Sequence, residues 1–375
     1  MIYTIIIFII VLSVIVFAHE LGHFVSARIF GLKPREFGFG MPPRIFGIYR
    51  STSGKWKTVW GKKNVSDAAD TIYSLNALLL GGFVNLGEDD IETVNPNHFI
   101  NKKSWQKAII LSAGVFMNII LAALLFSFGY LFGMPTQTEE LSAKAIVRHE
   151  QIQVYEVYLD SPAEKAGLKS GDTILAIDGE LVNTDANLAD YFVSKENQSV
   201  SLQIKHLNEE QEIVVVPEKR VDTNQPGIGI SYISTGLVRY PWYLAIIKGF
   251  GAAFAMFWAI IVAFCGLIKS LFVGSDLAVQ VTGPVGIANI TGQMARLGFA
   301  YLVQFTAFIS LNLALINFLP FPALDGGRVL FLAIEKITGR PVKRQVEAAI
   351  HNFGFILLLI LFAVVTLRDI IKLFN

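Results

Sequence analysis

Phe17-Ala-His-Glu-Leu-Gly-His-Phe-Val25 carries His19, Glu20 and His23 in the spacing H-E-x-x-H. On a helix, positions four apart share a face, so both imidazoles project the same way. That geometry suits two nitrogen ligands on one zinc ion, with Glu20 one step round the helix as a general base. Met1 to Ala18 is almost wholly apolar, and apolar residues resume after His23. Ionisable groups in such a helix are costly unless a partner or a cavity holds them, so at membrane depth they mark function by default. The five-residue pattern alone also fits a bland histidine pair, and the apolar setting is what weighs against that reading.

The composition agrees with a membrane setting. Of 375 residues, 53% are hydrophobic and 16% charged, where a soluble domain carries about 25% charge. The mean hydropathy is +0.52. This is the profile of an integral membrane protein with a sizeable polar part. A net charge of +1 offers no basic surface for nucleic acid. The single cysteine, Cys265, excludes an intrachain disulfide. No basic residue precedes the first apolar run, so it reads as a retained transmembrane helix rather than a signal peptide.

Residues 2–29 form a helix of roughly 40 Å at 1.5 Å per residue, enough to cross with tilt. The segment Gly31 to Lys63 is rich in Lys and Arg and is expected on the cytoplasmic side, with the N-terminus outside. Residues 71–90 hold two short apolar runs joined by Gly81-Gly82, too broken for a span. They are expected to form a β-hairpin. It either dips into the membrane, where its edge is open to an extended peptide, or is an ordinary cytoplasmic hairpin. Glu88, Asp89 and Asp90 read as a solvated turn.

Ala108 to Met134 is the second span. Its Gly114 and Asn118 share a face, as close helix packing with an interhelical hydrogen bond would need. From Pro135 to about residue 232 the chain turns polar, with strand-like runs at Ser199–Ile204 and Gln211–Val216. Ser161 caps a short helix with Pro162 at its first position, Gly167 ends it, and Asp178-Gly179 makes a turn. The run Leu159 to Gly179 resembles the centre of a PDZ domain, which either binds an extended peptide or acts as a steric filter. Residues 243–268 are apolar enough to span. A crossing there and another at about 302–326 would put the basic segment Arg328 to Arg344 on the wrong side, so 243–272 is placed in the outer interface. Thr282 to Ile287 is read as a tight loop.

The third span ends in Asn317-Phe-Leu-Pro-Phe-Pro-Ala-Leu-Asp-Gly-Gly327, where Pro320 and Pro322 break the helix. Asp325 reaches the depth of His19. Catalytic zinc commonly takes three protein ligands and a water, and Asp325 is a carboxylate at the right level. It also suits a turn or helix cap. His98, His149, His206 and His351 are the other histidines, the first three in polar segments. Asn312 and Asn317 either hold substrate or bond a neighbouring helix. Phe353 to Leu367 is the fourth span.

Taken together, these motifs resemble the site-2 protease family of intramembrane zinc metalloproteases, in its bacterial regulator-of-sigma-factor branch. The resemblance runs over nearly the whole chain: His19 to His23, Leu80 to Val84, Gly114 to Asn118, the PDZ run, Gly283 to Ile287 and Asn317 to Gly327. It implies zinc held by His19, His23 and Asp325, with Glu20 as base. It implies substrate binding by Asn312 and Asn317, and by a membrane-reentrant hairpin near 71–87 that includes Gly81, Gly82 and Phe83. The implied architecture is a polytopic α-helical membrane protein of four transmembrane helices plus that hairpin. Residues 1–134 and 233–375 form the membrane parts, and one extracytoplasmic PDZ domain of α+β type is inserted at 135–232. The implied substrates are single-pass membrane proteins such as anti-sigma factors, or remnant signal peptides, cut in the bacterial cytoplasmic membrane near its cytoplasmic face. A non-catalytic peptide-binding scaffold would lack a ligand or the base. An ion transporter would line several spans with ionisable residues, and these spans carry few.

Overall fold

The computed structural model describes all residues except 1, 88–97, 139–140, 142–143, 183–187, 207–208, 220–224, 274–281 and 375. The turn expected at Glu88 to Asp90 lies outside the described residues. Helix α1 (Ile2–Ile29) is followed by strands β1 (Glu36–Arg50), β2 (Trp56–Trp60) and β3 (Ile72–Asn85), then by α2 (Ser104–Phe132). The central stretch holds β4 (Met134–Gln137), β5 (Ile146–Val157), α3 (Pro162–Lys165), β6 (Thr173–Ile177), β7 (Glu180–Leu181) and α4 (Leu188–Ser194). It continues with β8 (Val200–His206), β9 (Glu209–Val215), β10 (Glu218–Lys219), β11 (Pro226–Gly227) and β12 (Ile230–Arg239). Five helices close the chain: α5 (Trp242–Val273), α6 (Pro284–Leu297), α7 (Phe299–Phe318), α8 (Asp325–Thr338) and α9 (Arg344–Phe374).

The chain divides into two compact units, one of residues 1–125, 250–292 and 305–375, the other of residues 126–249 and 293–304. In the first unit, α1 buries one stripe that includes Val11, Ile15, His19, Gly22, His23 and Ser26, while Ile2, Ile5, Ile6 and Ile10 stay exposed. An apolar exposed face suits lipid, where a helix satisfies its own backbone groups. Gly22 lets α1 approach α2 closely, because a Cβ there would collide with the Ala113 carbonyl. The helix stops at Gly31, whose φ is +75°, and the Leu32 amide donates back to the Ala27 carbonyl at 2.9 Å. This six-to-one bond satisfies an orphan carbonyl of the last turn.

The hairpin expected within 71–90 is not formed by that segment alone. Both limbs of β3 pair with the same residues of β1: Glu36–Phe39 register with Asn85–Gly82 on one side and with Ile72–Leu75 on the other. Strand β1 bends at Gly40 (φ +81°) and β3 at Gly81 (φ +72°), conformations that favour glycine, so two folded strands nest in each other. The second limb of β1 pairs with β2, giving the sheet order β2-β1-β3. The tips carry exposed Phe39, Met41, Leu75, Leu78 and Leu79, an apolar cluster that a soluble loop would not show.

The third span breaks where its prolines predict: α7 ends at Phe318 and Asp325 opens a new helix, because Pro320 and Pro322 cannot continue α7. Thr282 to Ile287 is not a free loop: Pro284 is the first residue of α6. The buried Asp369 of α9 accepts the amides of Gly283 (3.2 Å) and Gly286 (2.7 Å), an anion placed at a helix N-terminus. Among the described residues, α1, α2, α5, α7 and α9 are each long and apolar enough to cross a membrane, five helices against the four spans expected from sequence. The stretch assigned to the outer interface, 243–272, lies within one continuous helix.

The second unit holds a seven-stranded sheet of path β4-β12-β5-β6-β8-β9, with β7 on β6. Its core includes Ile152, Val154, Leu168, Phe192, Leu202 and Ile204. Ser161 Oγ accepts the Glu164 amide at 3.2 Å with Pro162 opening α3. Asp178 and Gly179 both take positive φ between β6 and β7, the turn their sequence predicts. The Asp178 carboxylate accepts the Tyr191 hydroxyl at 2.7 Å and the Ser201 amide at 2.9 Å, and the Tyr191 pKa is pushed up to about 12 by that first bond. Strand β12 runs on to Arg239, so a boundary at residue 232 would cut it.

Candidate metal centre

His19 and His23 lie on the buried stripe of α1, one turn apart, with Nε2 atoms 3.2 Å from each other. Asp325 Oδ2 lies 2.9 Å from His19 Nε2 and 3.3 Å from His23 Nε2. Among the described residues this is the group whose ligating atoms converge as a metal would require, all within 4.8 Å. His23 Nδ1 sits 2.8 Å from the Ile110 carbonyl of α2. A carbonyl only accepts, so Nδ1 carries a proton, and in the neutral ring Nε2 keeps its lone pair for a metal ion shared with Asp325.

His19 has a parallel partner. Asn118, fully buried on α2, places its amide 3.4 Å from His19 Nδ1. Among the described residues the Asn118 Oδ1 atom has no hydrogen-bond partner. Turned over, the amide would offer Oδ1 to that nitrogen and fix the same tautomer as in His23. Two imidazole lone pairs and a carboxylate then face one point, and such acceptors repel unless a shared cation lies between them. The donor set of two imidazoles and one carboxylate fits zinc.

Helix α2 shapes the centre at three positions four apart: the Ile110 carbonyl, Gly114 and Asn118. A Cβ on Gly114 would stand 2.5 Å from His23 Nε2 and 2.6 Å from His19 Cε1. Gly114→Ala is therefore expected to displace both imidazoles and to weaken zinc binding at least tenfold, on the scale of a lost outer-shell partner. Zinc titration of the purified variant checks this. Wild-type affinity would show that the helices give way without moving the ligands.

Asp325 reaches the site through the Leu319 to Leu324 turn. The Phe321 amide donates to the Leu319 carbonyl at 2.7 Å, and Ala323 has φ +77°. Gly326 and Gly327 press on this turn so closely that a Cβ at either would strike the carbonyls of Leu319 and Phe321 respectively. The glycines after Asp325 let α8 fold back and carry the carboxylate to α1.

A cavity of about 370 Å³ opens beside the centre, with Glu20, His23, Phe83, Val84, Asp325 and Arg328 in its wall. Glu20 Oε2 accepts the Val84 amide at 3.1 Å. The outer limb of β3 thus runs along α1 with an edge amide aimed at the expected base. Of the residues expected to touch substrate, Phe83 is in this wall. Gly81 and Gly82 instead pack on Val16 and Phe17 of α1. Asn312 Nδ2 donates to its own helix at the Phe308 carbonyl, 2.9 Å away, and neither Asn312 nor Asn317 is among the residues of the cavity wall. Of the other histidines, His206 pairs with Asp172, and His351 Nδ1 accepts the Ala323 amide at 2.9 Å. The Ile110 carbonyl, the place of Arg328 in the cavity wall and the His351 contact leave no signature in the sequence, and Gly114 and Asn118 carry one that packing alone explains. The spacing of four from 110 to 118, matching that of His19 and His23, was the available signal.

The description of peptidase family M50 matches residues 7–361. A Clostridium acetobutylicum protein with a zinc metalloprotease name is 33% identical over 98% of both chains. The regulator of sigma-W protease RasP of Bacillus subtilis is 29% identical over 99% of both chains. The PDZ domain of an SdrC-like protein of Listeria monocytogenes, a solved structure, is 28% identical over 23% of this chain and 92% of its own, with a TM-score of 0.22. The chain belongs to peptidase family M50 and is a multi-pass zinc metalloprotease of the site-2 protease type.

Proposed function

We propose that this protease hydrolyses peptide bonds inside the transmembrane segments of single-pass membrane proteins, anti-sigma factors and remnant signal peptides among them. The observation that carries the reading is the place of the centre. His19, Glu20 and His23 belong to a 28-residue apolar helix long enough to cross a membrane. A substrate bond must therefore come to them at membrane depth. His19, His23 and Asp325 would hold a zinc ion, which would supply the Lewis acidity that polarises a carbonyl and lowers the pKa of a water.

Glu20 removes a proton from the attacking water as its oxygen bonds to the carbonyl carbon. It returns the proton to the departing amine as the C–N bond breaks. A helical amide is shielded by its own hydrogen bonds, so the substrate must unwind. The outer limb of β3, from Gly81 to Asn85, offers an edge on which an extended segment can add as a strand. Such a strand competes with Glu20 for the Val84 amide and so frees the carboxylate at the moment substrate is seated. Phe83 would contact the substrate from the cavity wall, while Asn312 and Asn317 would hold it from α7. The basic segment Gly31 to Lys63 supports a cytoplasmic face for this sheet, with the N-terminus and the single PDZ domain outside.

The experiment is cleavage of a single-pass model substrate by protein purified in detergent. Chelation is expected to stop cleavage and added zinc to restore it. Full cleavage by verified zinc-free protein would refute the reading.

A further inference from the structure

The turn that delivers Asp325 is held from the far end of the chain. Ala323 lies in the left-handed region at φ +77°, a conformation that is costly for an L-residue and persists only where its surroundings impose it. Its amide donates to Nδ1 of His351, on α9, at 2.9 Å. One turn further along α9, Gly354 meets Pro322 so closely that a Cβ would stand 2.5 Å from Pro322 Cβ and 2.7 Å from its carbonyl oxygen. The His351 ring is steadied by Phe331 of α8, with centroids 5.4 Å apart, and Glu347 lies 4.0 Å from Nε2. With Nδ1 accepting, the ring proton sits on Nε2, on the side that faces the Glu347 carboxylate.

We propose that His351 is a positioning residue for the metal centre. By holding the strained Ala323 amide it fixes the Pro320 to Leu324 turn, and thereby the direction in which Asp325 presents its carboxylate. The inference rests on the zinc reading above. Three features point the same way. The contact falls two residues before the ligand. The residue it holds has a backbone that would relax if released. The Gly354 notch brings α9 against the same turn. A ligand oxygen placed 2.9 and 3.3 Å from two imidazole nitrogens tolerates little drift of its own helix start.

The test uses full-length protein in detergent. His351→Phe keeps the ring and its packing on Phe331 but removes the acceptor. His351→Gln restores an acceptor. His351→Phe combined with Ala323→Gly removes the strain that the contact holds, since glycine takes positive φ freely. Zinc affinity, measured with a competing chelator, is expected to fall on the order of tenfold in His351→Phe. It should stay near wild type in His351→Gln and recover in large part in the double variant. Thermal stability should be little changed across the set. Hydrogen exchange of the 320–327 segment, followed in metal-free protein, should quicken in His351→Phe alone. That readout needs no zinc, so it decides the positioning role even if the wild type binds none. Unchanged exchange in His351→Phe overturns the proposal. So does an affinity loss that His351→Gln shares.

Discussion

Asp325→Ala is expected to yield a folded protein that no longer holds zinc and no longer cleaves. The carboxylate is the one group of the centre that does not come from α1, and it lies 2.9 and 3.3 Å from the two Nε2 atoms. Removing it leaves two neutral imidazoles, too few for tight zinc binding. Outer-shell partners alone are worth about 10–100-fold in metal affinity, so loss of a ligand should exceed a hundredfold. Folding should be spared, because the carboxylate adds a third acceptor to a point where two lone pairs already meet. Zinc content after purification, with cleavage of a single-pass substrate, is the check. Normal zinc content in Asp325→Ala would remove Asp325 from the ligand set.

Glu20→Gln should separate the chemistry from the metal. Glu20 is not in the converging group of His19, His23 and Asp325. Its Oε2 instead accepts the Val84 amide at 3.1 Å, a bond that a glutamine oxygen can also accept. The variant should hold zinc as wild type does, with the sheet edge still docked on α1. Cleavage should fall about 10²–10⁴-fold, the contribution of a positioned general base. Undiminished cleavage would take the base role from Glu20. Zinc lost along with activity would make it a ligand.

The two variants isolate what the sequence makes legible from what it hides. His19, Glu20 and His23 are local, within five consecutive residues, and helix periodicity alone puts the two imidazoles on one face. Asp325 is found by depth and chemistry, because a carboxylate beside two prolines and two glycines is out of place in an apolar run. The PDZ-like segment is legible for the same reason: Ser161, Pro162, Gly167 and Asp178-Gly179 each act on the residues next to them. What is hidden depends on long-range pairing. The limbs of β3 read as a hairpin because Gly81-Gly82 looks like a turn, whereas the strand that separates them, Glu36–Phe39, lies far earlier and in a stretch dominated by its charges. Gly114 and Asn118 carry a packing signature whether or not histidines face them. Asp369 and His351 act across the chain on backbone amides, and an amide leaves no mark in a sequence.

This division also explains the clustering of small residues around the centre. Gly22 brings α1 to α2, Gly114 makes room for the imidazoles, and Gly326 and Gly327 let α8 fold onto its turn. Each close approach puts a backbone where a side chain would otherwise stand, and each helps place a proposed zinc ligand or its support. Side-chain growth at these positions should cost metal affinity before it costs the fold, the order in which a preorganised site fails when its supporting shell is disturbed.

The proposed cut lies within a membrane-spanning segment and depends on this centre. Mass spectrometry of the products released from a single-pass substrate by zinc-loaded wild-type protein tests it most directly, with Glu20→Gln as the matched control. One or a few cuts are expected inside the apolar segment, absent in Glu20→Gln and abolished by chelation. Cuts confined to the soluble flanks, or cuts that persist in Glu20→Gln, would contradict it.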